Sequence, residues 1–326
     1  MAKVVRMHGF GGPEVLSLDE VTVREPGPRE VQIKVGAIGL NRAETMILSG
    51  AFGQITLPSN IGYECAGVIR SIGSEVKDFK VDDRVAILPG LPMEYGACGE
   101  TVLCPEDLLV KTPDGQSDVE AAATWMQFVT AYAIRAYRRI EPGDAVIITA
   151  ASSSVGLAAT QLVKADGGVP IAVTRGRGKV EALKRHGAPH VIVSDEQDVA
   201  QAVREITGGR GAAIAFDAVA GPSFPSILSA LDQGGLAIVY GALGGEPTQF
   251  SAPYAEFLEL TIRGYGAHHL VSNPSLRREA IAYIRERLAD GRFRPIIDRS
   301  FALPEIVDAY RYLLGNQQIG KIVVTV

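Results

Sequence analysis

The chain has 326 residues, 47% hydrophobic and 21% charged, with a formal net charge of −5 at pH 7. That length suits two domains rather than one core, and an acidic balance without a Lys/Arg block argues against nucleic acid as the main partner. Three cysteines (Cys65, Cys98, Cys104) form no disulfide framework, and no apolar signal region opens the chain, so a cytoplasmic location with no membrane partner is expected.

The first hundred or so residues read as short β-type runs punctuated by Gly and Pro. Val31–Val35 and Gly67–Ile72 alternate, and Phe79–Ile87 reads as a hairpin around Asp82 and Asp83. This spacing suggests a β-rich, partly barrelled domain. Glu120–Ala136 predicts one helix by composition and length. Strands at 145–149, 169–174, 190–193, 212–217 and 235–240 then alternate with helices at 156–166, 178–186, 197–206 and 223–232. Such alternation implies a doubly wound parallel sheet covered on both faces. A last strand of this series falls near 260–265. Asn273–Asp290 reads as a helix opened by Pro274 and closed by Gly291, and a further helix runs from Pro304 to Leu314. The closing KIVVTV is a single strand that needs a sheet, and the N-terminal β-rich domain supplies one. The expected organisation is therefore 1–120 with 267–326 as one discontinuous domain, and 121–266 as the other.

Ala145–Val163, AVIITAASSSVGLAATQLV, is the most informative stretch. An apolar β-branched run stops at small residues and passes through Gly156 into helical spacing. This is the strand, turn and helix opening at which a doubly wound sheet holds a dinucleotide pyrophosphate. Two plainer readings compete: an uncharged membrane span, opposed by the Ala, Ser and Gly in its middle, and an ordinary turn with no ligand. The next strand bears on the choice. An NAD site would place an acid about twenty residues past the turn. Here Thr174 is followed by Arg175, Gly176, Arg177, Gly178 and Lys179, with no acid until Glu181. Three cations at a helix start are unfavourable without an anion to meet, and they suit a 2′-phosphate. The expected cofactor is NADPH.

At GLNRAETMILSGAF (39–52), GYECAGVI (62–69), VDDRVA (81–86), QFVTAY (127–132), AASSSVG (150–156) and GKIVV (320–324), the chain resembles the medium-chain dehydrogenase/reductase superfamily, in its zinc-free quinone oxidoreductase and enoyl reductase branch. The likeness covers essentially the whole length. It implies an NADPH-binding Rossmann domain over 121–266 and a GroES-like catalytic domain over the rest. It also implies hydride transfer to a quinone or to the activated C=C of an α,β-unsaturated carbonyl. Thr130 resembles the family position near the nicotinamide. Ser153, Ser154, Val155 and Gly156 match the pyrophosphate turn, with Ser153-Ser154 in place of the family's glycine pair. Arg175, Arg177 and Lys179 answer the 2′-phosphate, while Tyr240, Gly241 and Ala242 match the end of the strand flanking the nicotinamide ribose.

Zinc-dependent members of the superfamily use a Cys within the segment occupied here by Asn41–Thr45, and a His where this chain has Tyr63. Their structural zinc needs four close cysteines, against only Cys98 and Cys104 here. No metal is expected. Asn41 keeps an Asn that many relatives place near the substrate oxygen. Met46 and Phe52 stand where reductases of this branch often carry tyrosines, and a phenylalanine donates no proton. Tyr63 and Tyr132 are alternative donors, each also readable as a packed aromatic. Met46, Phe52, Met93 and Tyr95 are candidate walls of an apolar substrate pocket. His268 and His269 form a loop pair without a third ligand at metal spacing. The missing tyrosines keep a second reading open, a non-catalytic NADPH-binding sensor or interaction protein. A third, a zinc-dependent alcohol dehydrogenase, would need bound metal. An exposed sheet edge near 260–265 and the family likeness imply a homodimer.

Overall fold

In a computed structural model, which describes every residue except Phe52 and Gln54, the chain divides into two units. One comprises 1–126, 271–274 and 295–326, and the other 127–270 and 275–294.

The first unit begins with β1 (Ala2–Met7) antiparallel to β2 (Leu16–Val21). β3 (Glu30–Gly39) buries Val31, Ile33 and Val35 on one face, as its alternation requires. Helix α1 (Arg42–Leu48) follows, and β4 (Ser59–Asn60) pairs with β1. β5 (Glu64–Ile72), β6 (Arg84–Ile87), β7 (Thr101–Pro105) and β8 (Leu109–Lys111) complete this stretch. The expected hairpin over 79–87 is not formed: only its end, β6, is a strand, paired with β5 and β8. Val81 is exposed, Asp82 sits at φ +70°, and the Asp83 carboxylate accepts the Lys80 N–H, so local turn bonding replaces pairing.

The expected helix over 120–136 is three short ones, α2 (Asp118–Ala122), α3 (Trp125–Ala131) and α4 (Ala133–Tyr137). Thr124 Oγ1 donates to the Glu120 carbonyl at 2.6 Å, a local bond that interrupts the ladder where α2 ends.

In the second unit the parallel strands are β9 (Ala145–Ile148), β10 (Val169–Thr174), β11 (His190–Val193), β12 (Ala212–Asp217), β13 (Leu231–Val239) and β14 (Thr261–Gly264), ordered β11-β10-β9-β12-β13-β14. The order reverses direction between β9 and β12, the switch point of a doubly wound sheet. The intervening helices are α5 (Ser154–Ala165), α6 (Val180–Arg185), α7 (Val199–Ile206), α8 (Phe224–Ser229) and α9 (Ala252–Phe257), followed by α10 (Ala267–Ser272) and α11 (Pro274–Ala289). Residues 275–294 group with this unit, whereas the sequence reading assigns all of 267–326 to the other. The physical reason is an aromatic anchor. Phe293 stacks on Phe128 at 4.5 Å, and the Tyr283 hydroxyl donates to Asp166 at 2.7 Å.

The chain returns to the first unit through β15 (Ile297–Ala302), α12 (Ile306–Leu314) and β16 (Lys321–Thr325). β16 lies parallel to β15 and antiparallel to β3, within a seven-stranded sheet. Among the described residues no helix is long and apolar enough to cross a membrane.

A polar core sits where β16 meets β3, α1 and β5. Lys321, Glu64 and Glu44 are all at most 1% exposed. The Lys321 ammonium pairs with Glu64 Oε1 and donates to Asn41 Oδ1 at 2.7 Å. Glu64 Oε2 accepts the Met126 N–H at 3.1 Å. Gly39 makes room for this, since a Cβ there would meet the Ala122 carbonyl oxygen at 2.2 Å and Lys321 Cε at 2.8 Å. Removing one partner of a buried ion pair strands the other charge. Lys321→Met should therefore destabilise the protein by about 3–5 kcal/mol. The double variant Lys321→Met/Glu64→Gln should recover most of that loss, as read from urea unfolding midpoints of the three proteins.

Candidate functional site

The second unit gathers its candidate residues at the C-terminal edge of its sheet. Ser153 is the N-cap of α5, its Oγ accepting the Gly156 N–H at 3.0 Å. A Cβ at Gly156 would lie 2.7 Å from Ala151 Cα, so only glycine lets the helix start this close to the turn. The left-handed residue of the turn is Ala150, at φ +45°, one position after Thr149. The sequence reading placed the departure from the glycine pattern at Ser153-Ser154; the backbone demand falls on Ala150 as well. Ser154 and Val155 open the first turn of α5 and are half-buried.

Arg175, Arg177 and Lys179 follow β10 on the same edge. Lys179 Nζ donates to Ser152 Oγ at 3.0 Å, joining this cationic segment to the turn after β9. Arg175 is exposed. Arg177 is also exposed and pairs through Nε with Glu196 Oε1 at 2.9 Å. That acid comes from the loop after β11, and a search limited to the residues after Thr174 overlooks it. Arg177 is thus held by a carboxylate, while Lys179 faces the turn.

Beside β9, the Thr149 hydroxyl donates to Asp217 Oδ1 at 2.6 Å across the switch point. Asp217 is fully buried and its carboxylate accepts the N–H groups of Val219 and Ala220, shaping the loop after β12. Neither residue was singled out from sequence, where a strand-terminal Asp looks like an ordinary turn former. Tyr240 stacks on Phe216 at 4.0 Å, and its hydroxyl is buried without a hydrogen bond among the described residues. Gly241 passes close to Ala218, and Ala242 leads the chain on along the loop after β12. Thr130 is buried on α3.

In the first unit the Asn41 amide is fully engaged. Its Nδ2 donates to the Gly39 carbonyl and to Glu64 Oε1, both at 3.1 Å, while Oδ1 accepts from Lys321. Its backbone N–H donates to Glu44 Oε2 at 2.8 Å, forming the capping box of α1. Both amide hydrogens of Asn41 are thus taken up within the first unit. Glu44 Oε1 accepts the Tyr63 N–H at 3.0 Å, and Oε2 accepts the Tyr310 hydroxyl at 2.9 Å. Burial pushes the Glu44 carboxyl up to about 7, against these donors and Lys321, which pull it down.

Tyr63 follows Gly62, whose φ of +105° and approach to Cys98 admit no side chain. The Tyr63 ring is half-buried on the core, and its hydroxyl makes no hydrogen bond among the described residues. Burial, then the Glu44 charge, raises it to about 12. It is a protonated donor across the neutral range. Tyr132 belongs to the second unit, where its ring meets Tyr283 edge-on at 5.4 Å.

Three of the four candidate pocket walls lie among the described residues. Met46 is half-buried on α1. Phe52 lies outside the described residues. Met93 packs on the core, while Tyr95 lines a groove with Val4, Val21, Thr22 and Arg24 and donates to Glu30 at 2.7 Å. Neither Met46 nor Tyr63 lines that groove. Tyr95 is recruited by the Glu30 carboxylate, a partner distant in sequence.

Comparison with known proteins fits this geometry. Residues 27–114 match the alcohol dehydrogenase GroES-like domain, and residues 154–299 match the zinc-binding dehydrogenase family. A quinone oxidoreductase of Pseudomonas aeruginosa is 33% identical, covering 99% of both chains. A 2-haloacrylate reductase of a Burkholderia species is 30% identical over 99% of this chain and 98% of its own. The crystal structure of Escherichia coli quinone oxidoreductase complexed with NADPH superposes with a TM-score of 0.92 at 27% identity, covering all of both chains. With its doubly wound second unit, its β-rich first unit and these full-length relatives, the chain belongs to the medium-chain dehydrogenase/reductase superfamily, in the quinone oxidoreductase branch.

Proposed function

We propose that the protein is an NADPH-dependent reductase that transfers hydride, without a metal, to a quinone or to the activated C=C of an α,β-unsaturated carbonyl. The observation that carries this reading is the Lys179–Ser152 contact, which sets a cation beside the turn that opens α5. Backbone N–H groups at that helix start and a nearby ammonium suit a diphosphate with an added 2′-phosphate. The buried Tyr240 hydroxyl faces the Ser153 side chain at the same edge and makes no close hydrogen bond among the described residues, so a bound dinucleotide can satisfy it. The residues present therefore fit NADPH, with Ser153–Gly156 on the diphosphate, Arg175 and Lys179 on the 2′-phosphate, and Thr130 and Tyr240–Ala242 on the nicotinamide side. The names of the two relatives above support the substrate class, since a haloacrylate is an activated C=C.

When bound, NADPH supplies a hydride, which carries two electrons to the acceptor. The chain must then supply one proton, and the Tyr63 hydroxyl is the donor that its own residues offer. The phenolate left behind regains its proton from water. A catalytic zinc does not fit the residues here. Tyr63 stands at the ligand position, burial pushes the thiols of Cys65, Cys98 and Cys104 up and keeps them protonated, and the described residues hold no cluster of three or more metal-ligating His, Cys, Asp or Glu.

The proposal extends to a homodimer through β14, an edge strand whose four residues are all exposed, with Ile262 on it and Phe257 nearby in sequence. Light scattering should report a dimer, and Ile262→Lys should shift it toward monomer; a monomeric parent protein would refute this.

Arg175→Ala/Lys179→Ala should weaken NADPH binding by about 2–4 kcal/mol, on the order of a hundredfold in Kd, while sparing NADH. Calorimetric titration with both cofactors decides it, and equal losses would refute the 2′-phosphate assignment. Tyr63→Phe should lower kcat for enone reduction by about 10²-fold with NADPH affinity unchanged. Stopped-flow NADPH oxidation with a panel of quinones, enones and haloacrylates reads this. Tight NADPH binding with no turnover of any acceptor would instead identify a non-catalytic binding protein.

A further inference from the structure

The buried carboxylate Glu44 takes no part in hydride or proton transfer. It lies in the first unit at the meeting of α1, β5 and α12, completely buried, and three elements present donors to it: Asn41 N–H, Tyr63 N–H and the Tyr310 hydroxyl. The charged and titratable groups facing it are Lys321, Glu64, Tyr63, Tyr310 and the Cys98 thiol, which lies 3.9 Å from the Tyr310 hydroxyl. A helix cap alone would need only the Asn41 contact. The additional bond from the Tyr63 N–H joins the start of β5 to the start of α1, and it fixes the backbone that carries a half-buried hydroxyl without a hydrogen bond among the described residues.

We propose that Glu44, steadied by Tyr310 and by the Lys321–Glu64 pair, is a positioning residue for proton delivery. It holds the Tyr63 backbone, and with it the ring and its hydroxyl, in place. This rests on the reading of Tyr63 as proton donor. A carboxylate beside a phenol disfavours the phenolate, so an ionised Glu44 raises Tyr63 and a neutral group in its place lowers it. With the Glu44 carboxyl pushed up to about 7, it is ionised in the alkaline range where Tyr63 titrates, and the effect is present there.

The test compares the parent protein with Glu44→Gln, which removes the charge and turns one of the two accepting oxygens into a donor, and with Tyr310→Phe, which deletes one hydroxyl. The first readout needs no cofactor. In apo protein labelled with ¹³C at tyrosine Cζ, the Tyr63 resonance, assigned by its loss in Tyr63→Phe, should titrate about one unit lower in Glu44→Gln. The second readout is the pH profile of kcat with NADPH and a quinone. Its alkaline limb should move to lower pH by the same amount, kcat at neutral pH should fall about tenfold, and the NADPH Kd should stay within about twofold. Tyr310→Phe should move both readouts in the same direction by less, which keeps the proposal testable where Glu44→Gln does not fold. Unchanged titration and an unchanged profile in folded variants would overturn the proposal. Full turnover in Tyr63→Phe would overturn the reading beneath it instead, so the two failures are distinguishable.

Discussion

The Lys321–Glu64 pair is the constraint on which the first unit is organised. Its partners lie 257 residues apart in sequence, and the pair joins the last strand of the chain to a sheet begun near its start. Hydrophobic pairing alone would accept β16 in more than one register, because Ile322, Val323 and Val324 are all buried and supply no alternation to choose by. An ammonium that must meet a carboxylate in a dry core allows only one. The interaction is costly to desolvate, and its contribution is best understood as specificity of register rather than as net stability. Gly39 is part of the same device, since the space its missing side chain leaves is occupied by the pair and the α2 carbonyl.

The second unit uses a smaller polar lock for a related purpose. Thr149 and Asp217 meet where the sheet reverses its order, the place at which doubly wound folds bind ligands. Without this bond the loops after β9 and β12 would each need their own capping. With it, one buried carboxylate sets the path of 217–220, and Tyr240 and Gly241 pass beside that path. The C-terminal edge of this sheet is thus shaped from beneath by buried residues of its own.

Much of this was legible in sequence because it depends on local pattern. The βα alternation of 145–264, the cap and close approach at Ser153 and Gly156, and the cations after Thr174 all follow from period and neighbours. What was not legible depends on distant partners. Glu196 captures Arg177 across two strands, Glu30 draws Tyr95 into another groove, and Lys321 and Glu64 saturate Asn41. Phe293 ties the segment after α11 to Phe128, a contact no periodicity announces. The helix over 120–136 was misread for the opposite reason. Apart from Met126, residues 121–134 are all buried, so apolar composition carries no phase there, and the Thr124 hydroxyl bond at the end of α2 is a matter of one atom.

The same long-range bonds narrow the chemistry. A group that donates a proton after hydride transfer must be protonated at neutral pH, reachable from solvent for its return, and not already committed to a structural bond. Asn41 is committed on both donors. Glu44 titrates near neutrality, but it is sealed in the core and already accepts from three elements. Tyr310 is buried and donates to Glu44. Among the described residues of this cluster, Tyr63 has a hydroxyl without a hydrogen bond, on a half-buried ring, held by its backbone rather than by its tip. On the proposed reading, the polar core provides no reacting group of its own: its function is to leave one hydroxyl uncommitted and still fixed in place.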